Sequence, residues 1–308
     1  MQQIREAAGE GARVDQVLFK DTMFKELMEA LRTYDVIIGE PPARLLAGDD
    51  VTVKWVQSTW AGVDIYTRSP YGFPKGMMLT NVAGTAYGHI VSQFAVGQIL
   101  SLAQNLGNYA RVQATTRWKS LGPVMSLEGT NVLIFGTGDL GSCVAKRLKG
   151  FDVGKITGVC RNVDEPREGF DELVSLPSAE FKLGSSDVVV GCMPSTRETA
   201  HYFGERRLRM LKEGSILVNV GRGDFIDCDA LARVLSDGRL RGAALDVTDP
   251  EPLPMKHALW RNQRCLITPH AAGGAFGKCD RTEDLIAEIC CDNLRRYRTG
   301  KELTHRVY

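Results

Sequence analysis

Arg222, Glu251 and His270 are the residues whose types and placement could do chemistry. Arg222 lies in NVGRGDFID, Glu251 between two prolines in ALDVTDPEPLP, and His270 behind Pro269 in ITPHAAGG. A guanidinium is a permanently charged planar fork that grips a carboxylate at two points and polarises a neighbouring carbonyl. Imidazole titrates near neutrality, so it passes a proton in either direction. A carboxylate beside it would hold the ring and favour its protonated form. The three together suit a proton-coupled change at the carbonyl of a small anion. A solvated loop arginine, an exposed turn glutamate and a structural histidine are the plain alternatives. Of the five histidines, only His270 stands at the end of an apolar run, and His89, His201, His257 and His305 are given no role.

A second group of residues could hold a nucleotide. Gly136-Thr137-Gly138-Asp139-Leu140-Gly141 follows VLIF and opens an amphipathic segment, the setting in which G-x-G-x-x-G binds a dinucleotide. Glycine there permits the tight turn and lets backbone N–H groups reach a pyrophosphate at a helix N-terminus. A ligand-free strand–turn–helix corner, or a methyltransferase loop for S-adenosylmethionine, would look alike. An acidic residue about 20 positions on usually grips the ribose 2′-hydroxyl of NAD. That place is taken by Cys160, followed by Arg161 and Asn162 in GVCRN. A guanidinium there pairs with a 2′-phosphate and stacks on adenine. NADP(H) is therefore the preferred cofactor expected, with NAD(H) possible.

These residues need elements to position them. From about residue 131, short apolar runs alternate with amphipathic segments, as in a parallel sheet covered by helices. Strands are predicted at 132–135, 156–160, 188–191, 216–220, 243–247 and 265–268. Helices are predicted between the first two, with Leu140, Val144 and Leu148 on one face, and at about 229–236. Ligands in such sheets bind beyond the carboxyl ends of the strands. Those ends carry the glycine loop, Cys160-Arg161-Asn162, Cys192-Met193-Pro194, Val220-Gly221-Arg222, Asp246 with Glu251, and His270-Ala271-Ala272. All become candidate cofactor or substrate contacts.

The N-terminal third predicts a second α/β unit, with strands at 14–19, 36–38, 51–56 and 79–82. It opens on a helix-like segment, so either a first strand is missing or the sheet is small. A single long helix is expected over about 87–117, and a C-terminal helix over about 281–298 returning to the first unit. The expected fold is thus α/β: a Rossmann-type doubly wound parallel sheet inserted into a smaller flavodoxin-like substrate domain. The expected bounds are 1–83 with 273–308 for the substrate domain and 84–272 for the NAD(P)-binding domain.

Composition narrows the class further. The 308 residues are 44% hydrophobic and 24% charged, with a net charge of +1, ordinary values for a globular enzyme. No block of like charge offers a footprint for nucleic acid or an acidic membrane. The eight cysteines form no C-x-x-C pair, so no metal site is expected, and a reduced, cytoplasmic protein is. The polar opening MQQIREAAGEGARV is unlike a signal peptide.

GTGDLG, NVGRGDFID, ALDVTDPEPLP and ITPHAAGG, in this order and spacing, resemble the D-isomer-specific 2-hydroxyacid dehydrogenase family. TYDVIIG and VKWVQSTWAGVD extend the likeness less specifically. The resemblance implies that Arg222, Glu251 and His270 are catalytic and that Asp246 lies near the nicotinamide carboxamide, although Asp246 may equally cap the following loop. It also implies that Ala61-Gly62-Val63 offers backbone N–H groups to a substrate carboxylate, a tight turn being the alternative. Trp60 beside it would shape the substrate pocket or fill the core.

An NADPH preference and the stretch WKSLG look more like the glyoxylate/hydroxypyruvate reductase branch. An acidic residue at 251 is unlike the formate dehydrogenases. D-lactate-type or branched 2-keto acid chemistry with NAD stays open, as does a non-enzymatic nucleotide-sensing role like that of the related corepressors. The resemblance further implies a homodimer through the long helical region, and domain closure with hinges near 82–84 and 271–274.

Overall fold

A parallel strand buried on both faces reads as an unbroken apolar run. VLIF, VVVG and GAAL are such runs, and each is buried at every position. The computed structural model describes residues 1–17, 24–84, 86–274 and 280–308. The chain divides into two units, Met1–Tyr87 with Phe276–Tyr308, and Gly88–Ala275.

The first unit contains α1 (Gln2–Ala8), α2 (Phe24–Thr33), β1 (Val36–Ile38), α3 (Ala43–Leu46), β2 (Trp55–Gln57), α4 (Asp64–Thr67) and β3 (Met78–Thr80). The strands form a parallel sheet in the order β1-β2-β3. Side chains alternate across it. Val56 and Leu79 pack with Leu27, Leu31 and Tyr66 on one face. Trp55 packs with Ala7, Cys291 and Leu294 of the C-terminal helix Asp280–Arg298 on the other. Here a buried polar chain is closed by partners. Trp55 Nε1 donates to Thr80 Oγ1 at 2.8 Å, and Thr80 Oγ1 and Asn293 Nδ2 donate to Gln57 Oε1 at 2.7 and 2.8 Å.

Two sequence expectations need correction in this unit. Residues 14–17 carry no strand, and residues 18 and 19 of that expectation lie outside the described residues. The strand expected at 51–56 starts only at Trp55. The N–H of Thr52 bonds Leu31 O at the end of α2, and that of Lys54 bonds Asp35 O, so these groups enter no ladder.

The second unit begins with α5 (Gly88–Ala103) and α6 (Leu106–Ala114). The expected single helix is thus two. Asn105 adopts φ 59°, a left-handed turn that asparagine tolerates better than most residues, and it caps α6. There follow β4 (Val132–Phe135), α7 (Asp139–Leu148), β5 (Ile156–Val159), β6 (Glu172–Val174), β7 (Val188–Gly191), α8 (Glu205–Met210), β8 (Ile216–Asn219), α9 (Cys228–Ser236), β9 (Gly242–Leu245) and β10 (Cys265–Ile267). They form one parallel sheet, β10-β9-β8-β7-β4-β5-β6. Six of these strands match the predicted runs to within two residues at either end. The seventh, β6, was not expected: ELV is a partly exposed edge strand with a charged first residue.

Strand order reverses at β4, which pairs β5 on one side and β7 on the other. That switch point opens a crevice beyond the carboxyl ends of β4 and β7, where doubly wound sheets take their ligands.

Candidate active site

The glycine loop leaves β4 and enters α7. Gly136 has φ 102°, and a Cβ there would stand 2.9 Å from Cys192 O. A Cβ on Gly141 would meet Gly136 O at 1.8 Å, so the helix packs directly on the turn. Gly138 caps α7 and has nothing within 4 Å of its Cβ position. Two glycines are thus needed for packing, and the third faces open space at a helix N-terminus, the cradle a pyrophosphate requires. Asp139 and Leu140 form the first turn of α7. Thr137 is buried, and its methyl lies 2.6 Å from the Cβ position of Gly158 on β5, which only glycine leaves clear.

Beyond β5, Cys160 Sγ donates to Asn162 O at 3.1 Å, and Asn162 Oδ1 accepts from Asp164 N at 3.2 Å. Arg161 projects from this turn, exposed, with no hydrogen bond or ion pair among the described residues. Its charge reaches the loop after β7. There the Thr196 hydroxyl chiefly, with help from Arg161 and Arg197, holds the Glu198 carboxyl below the usual range.

Arg222 follows β8 in a turn held from beneath by a residue the sequence reading passed over. Asn219 is fully buried, donates from Nδ2 to Arg222 O at 2.8 Å and accepts Gly221 N–H at Oδ1 at 3.1 Å. Three residues after Arg222, Phe225 drops into an aromatic cluster, 5.3 Å from Phe135 and 5.2 Å from Phe203 between ring centroids. The turn is therefore pinned at both ends. Its glycines serve packing: a Cβ on Gly221 would meet Met193 O at 2.7 Å, and one on Gly223 would meet Thr248 O at 1.9 Å. Pro194 O accepts the Thr199 hydroxyl at 2.9 Å, and Val220 N–H closes onto Gly191 O at 3.0 Å.

His270 Nδ1 lies 2.7 Å from Glu251 Oε1. With that bond made, Nε2 is the ring nitrogen left to a ligand. The pair is about half exposed, at 53% and 42% of the side chains. His270 has φ 51°, an uncommon conformation for a residue with a side chain, and its N–H bonds Asp246 O at 2.8 Å.

The Asp246 carboxylate is buried and accepts three bonds. They come from Thr268 Oγ1 at 2.6 Å, Ala271 N at 2.9 Å and Ala272 N at 3.0 Å. Asp246 N–H in turn bonds Asn219 O at 3.0 Å, which ties the histidine loop to the arginine turn. Asn219 and Thr268 are polar residues ending apolar runs, and that position was the available signal for both.

Trp60, Ala61, Gly62 and Val63 belong to the first unit. Trp60 is 47% exposed, so it does not fill the core. The loop is braced by Asn81 Nδ2 to Ala61 O at 2.8 Å. Just before it, Glu40 Oε1 accepts from Thr59 N at 2.7 Å and from the Thr59 and Ser58 hydroxyls at 2.8 and 3.1 Å. Nothing in the sequence marked Glu40. Among the described residues, no group of three or more His, Cys, Asp and Glu could hold a metal ion, and no helix is long and apolar enough to cross a membrane.

Residues 96–272 match the family described as D-isomer specific 2-hydroxyacid dehydrogenase, NAD binding domain. Glyoxylate/hydroxypyruvate reductase A of Escherichia fergusonii is 30% identical over 281 residues, 88% of this chain and 85% of that protein. A D-isomer specific 2-hydroxyacid dehydrogenase family protein of Aeromonas salmonicida superposes with a TM-score of 0.81 at 35% identity, covering 92% of this chain and 88% of that one. The D-isomer specific 2-hydroxyacid dehydrogenase of Xanthobacter autotrophicus, solved with NADPH and MES, superposes at 0.78 with 26% identity over 100% of this chain and 94% of its own.

Proposed function

Because the chain belongs to the D-isomer specific 2-hydroxyacid dehydrogenase family, an oxidoreductase family acting on small hydroxy and keto acids with NAD(P), we propose that it reduces a small 2-keto acid of the glyoxylate or hydroxypyruvate kind to the D-2-hydroxy acid, with NADPH as preferred reductant. The observation that carries this reading is the His270–Glu251 bond beside the Arg222 turn, on the same sheet edge as an open glycine cradle.

The cofactor fits the residues present. Gly136, Thr137, Gly138, Asp139, Leu140 and Gly141 would hold its pyrophosphate; Cys192, Met193, Pro194, Val220 and Gly221 would line its path, and Asp246 and Ala272 would border the nicotinamide. When bound, the nicotinamide supplies the hydride. Arg222 binds the substrate carboxylate in its fork and draws charge toward the carbonyl oxygen. His270 Nε2 gives its proton to that oxygen, and Glu251 at Nδ1 stabilises the protonated ring and fixes its orientation. In the reverse direction the same nitrogen removes the hydroxyl proton.

Arg161 supports the NADPH preference: no carboxylate stands in the place that would repel a 2′-phosphate, and the guanidinium is exposed, with no hydrogen bond or ion pair among the described residues. The E. fergusonii relative's name and the NADPH in the Xanthobacter structure point the same way. Family membership also supports a homodimer, for which light scattering should give twice the chain mass.

The test is oxidation of NADPH and, separately, NADH with glyoxylate, hydroxypyruvate, pyruvate and a branched 2-keto acid. The reading predicts faster NADPH turnover on glyoxylate and hydroxypyruvate than on the other two acids, and a fall of about 10–100-fold in kcat/KM for NADPH alone in Arg161→Glu, the worth of one charge-assisted bond. Binding of NADPH without turnover of any acid would overturn it.

A further inference from the structure

Strand order sets two loops beside the glycine cradle. Phe135, at the end of β4, is in register with Val159 of β5 on one side and with Gly191 of β7 on the other. The chain leaves β5 through Cys160 and Arg161, and leaves β7 through Cys192 toward Ser195-Thr196-Arg197-Glu198-Thr199. The two loops therefore start at the same level of the sheet, one on each side of the glycine turn.

The second loop is built to stay in place. Thr199 is buried; its hydroxyl donates to Pro194 O at 2.9 Å and accepts Thr196 N–H at 2.8 Å. Ala200 N–H bonds Thr196 O at 2.9 Å and closes one tight turn. Tyr202 then enters the aromatic cluster, 5.2 Å from Phe135 between ring centroids. Arg197 and Glu198, the residues between the two threonines, are left exposed.

Their partners differ. The Glu198 carboxylate accepts the Thr196 hydroxyl at 2.8 Å and so folds back on its own loop. Arg197, like Arg161, has no hydrogen bond or ion pair among the described residues. In the loop after β5, by contrast, Arg167 is taken by Glu165 at 3.1 Å. The Thr196 bond chiefly, then the backbone, then the charges of Arg161 and Arg197, hold the Glu198 carboxyl below its usual range. Both guanidinium groups thus act on one carboxylate, although they come from different loops.

A phosphate monoester carries about 1.5–2 negative charges near neutral pH, more than one guanidinium balances. Two guanidinium groups balance it, and a fixed carboxylate beside them subtracts from the attraction. We propose that the loop after β7 sets the degree of NADPH preference: Arg197 joins Arg161 on the 2′-phosphate, and the Glu198 carboxylate opposes it. The proposal rests on the NADPH preference inferred above and adds to it the two residues that tune it.

Calorimetric titration of the full chain with NADPH and with NADH, in the absence of any keto acid, gives the ratio of the two affinities. Arg197→Gln should lower the NADPH affinity about 3–10-fold and leave that for NADH unchanged, the worth of one exposed charge-assisted contact. Glu198→Gln should raise the NADPH affinity about 2–5-fold, again without effect on NADH. Arg161→Glu separates this proposal from the preference beneath it. If Arg161→Glu weakens NADPH and Arg197→Gln does not, the preference stands and the role of Arg197 is overturned. If the wild type binds both nucleotides equally, the preference itself falls, and the proposal with it. An equal loss for NADH in Arg197→Gln would also overturn the proposal, because the side chain would then serve the loop instead of the phosphate. A Glu198→Gln variant that binds NADPH no more tightly than wild type would overturn the opposing role of the carboxylate.

Discussion

His270 occupies a left-handed backbone conformation that costs an ordinary residue on the order of 1–3 kcal/mol. Its N–H bond to Asp246 O and the three bonds that Asp246 accepts hold it there. Stability is thereby traded for the position of one imidazole. Glycine adopts this conformation freely, and the pair it would remove is half exposed and worth little. His270→Gly should therefore be as stable as the wild type, or more stable by about 1 kcal/mol, while losing turnover. Urea denaturation beside an activity assay checks both halves; a variant clearly less stable would mean that the ring holds the loop. Sequence suggested that Glu251 and His270 were partners, because both follow strand ends. It could not show that Asp246 spends its carboxylate on Thr268, Ala271 and Ala272, since those bonds exist only once β9 and β10 lie side by side.

At the scale of elements, legibility followed burial. VLIF, VVVG and ILVN read as strands because both faces are covered and no polar residue interrupts the run until its end. β6 escaped notice because its first residue, Glu172, is an edge-strand carboxylate that meets lysines instead of a core. The break between α5 and α6 was hidden because an asparagine in the left-handed region looks like any helical polar residue.

Asn219 closes the arginine turn from inside, so Asn219→Ala leaves Arg222 O without its donor and should cost about 1–3 kcal/mol. KM for the keto acid should rise more than NADPH affinity falls, which substrate and cofactor titrations of the variant would show. Glu172 is held by Lys155 and Lys182, which lower its carboxyl from 4.5 to about 2. A lowered value means stability that is complete above the ordinary carboxylate range and lost as the pH falls from 4.5 toward 2. The lysine side chains are 52% and 33% exposed, so screening limits the contribution to about 1 kcal/mol. Glu172→Gln should be that much less stable at pH 7, with the gap closing in acid. A gap that persists at pH 2 would assign the loss to packing instead.

For the whole molecule, one edge of one sheet collects the groups that the proposed reaction needs. The glycine cradle, the arginine turn and the histidine loop all follow carboxyl ends of the same parallel sheet, so the order of strands decides which residues can act together. The most direct test compares wild type and His270→Ala for NADPH binding by tryptophan quenching and for turnover of hydroxypyruvate. With His270 as the proton donor, binding is unchanged and the rate is lower by about 10²–10⁴-fold, the usual worth of a general acid. A His270→Ala enzyme that turns over within a few-fold of wild type would contradict it, because the proton would then come from elsewhere.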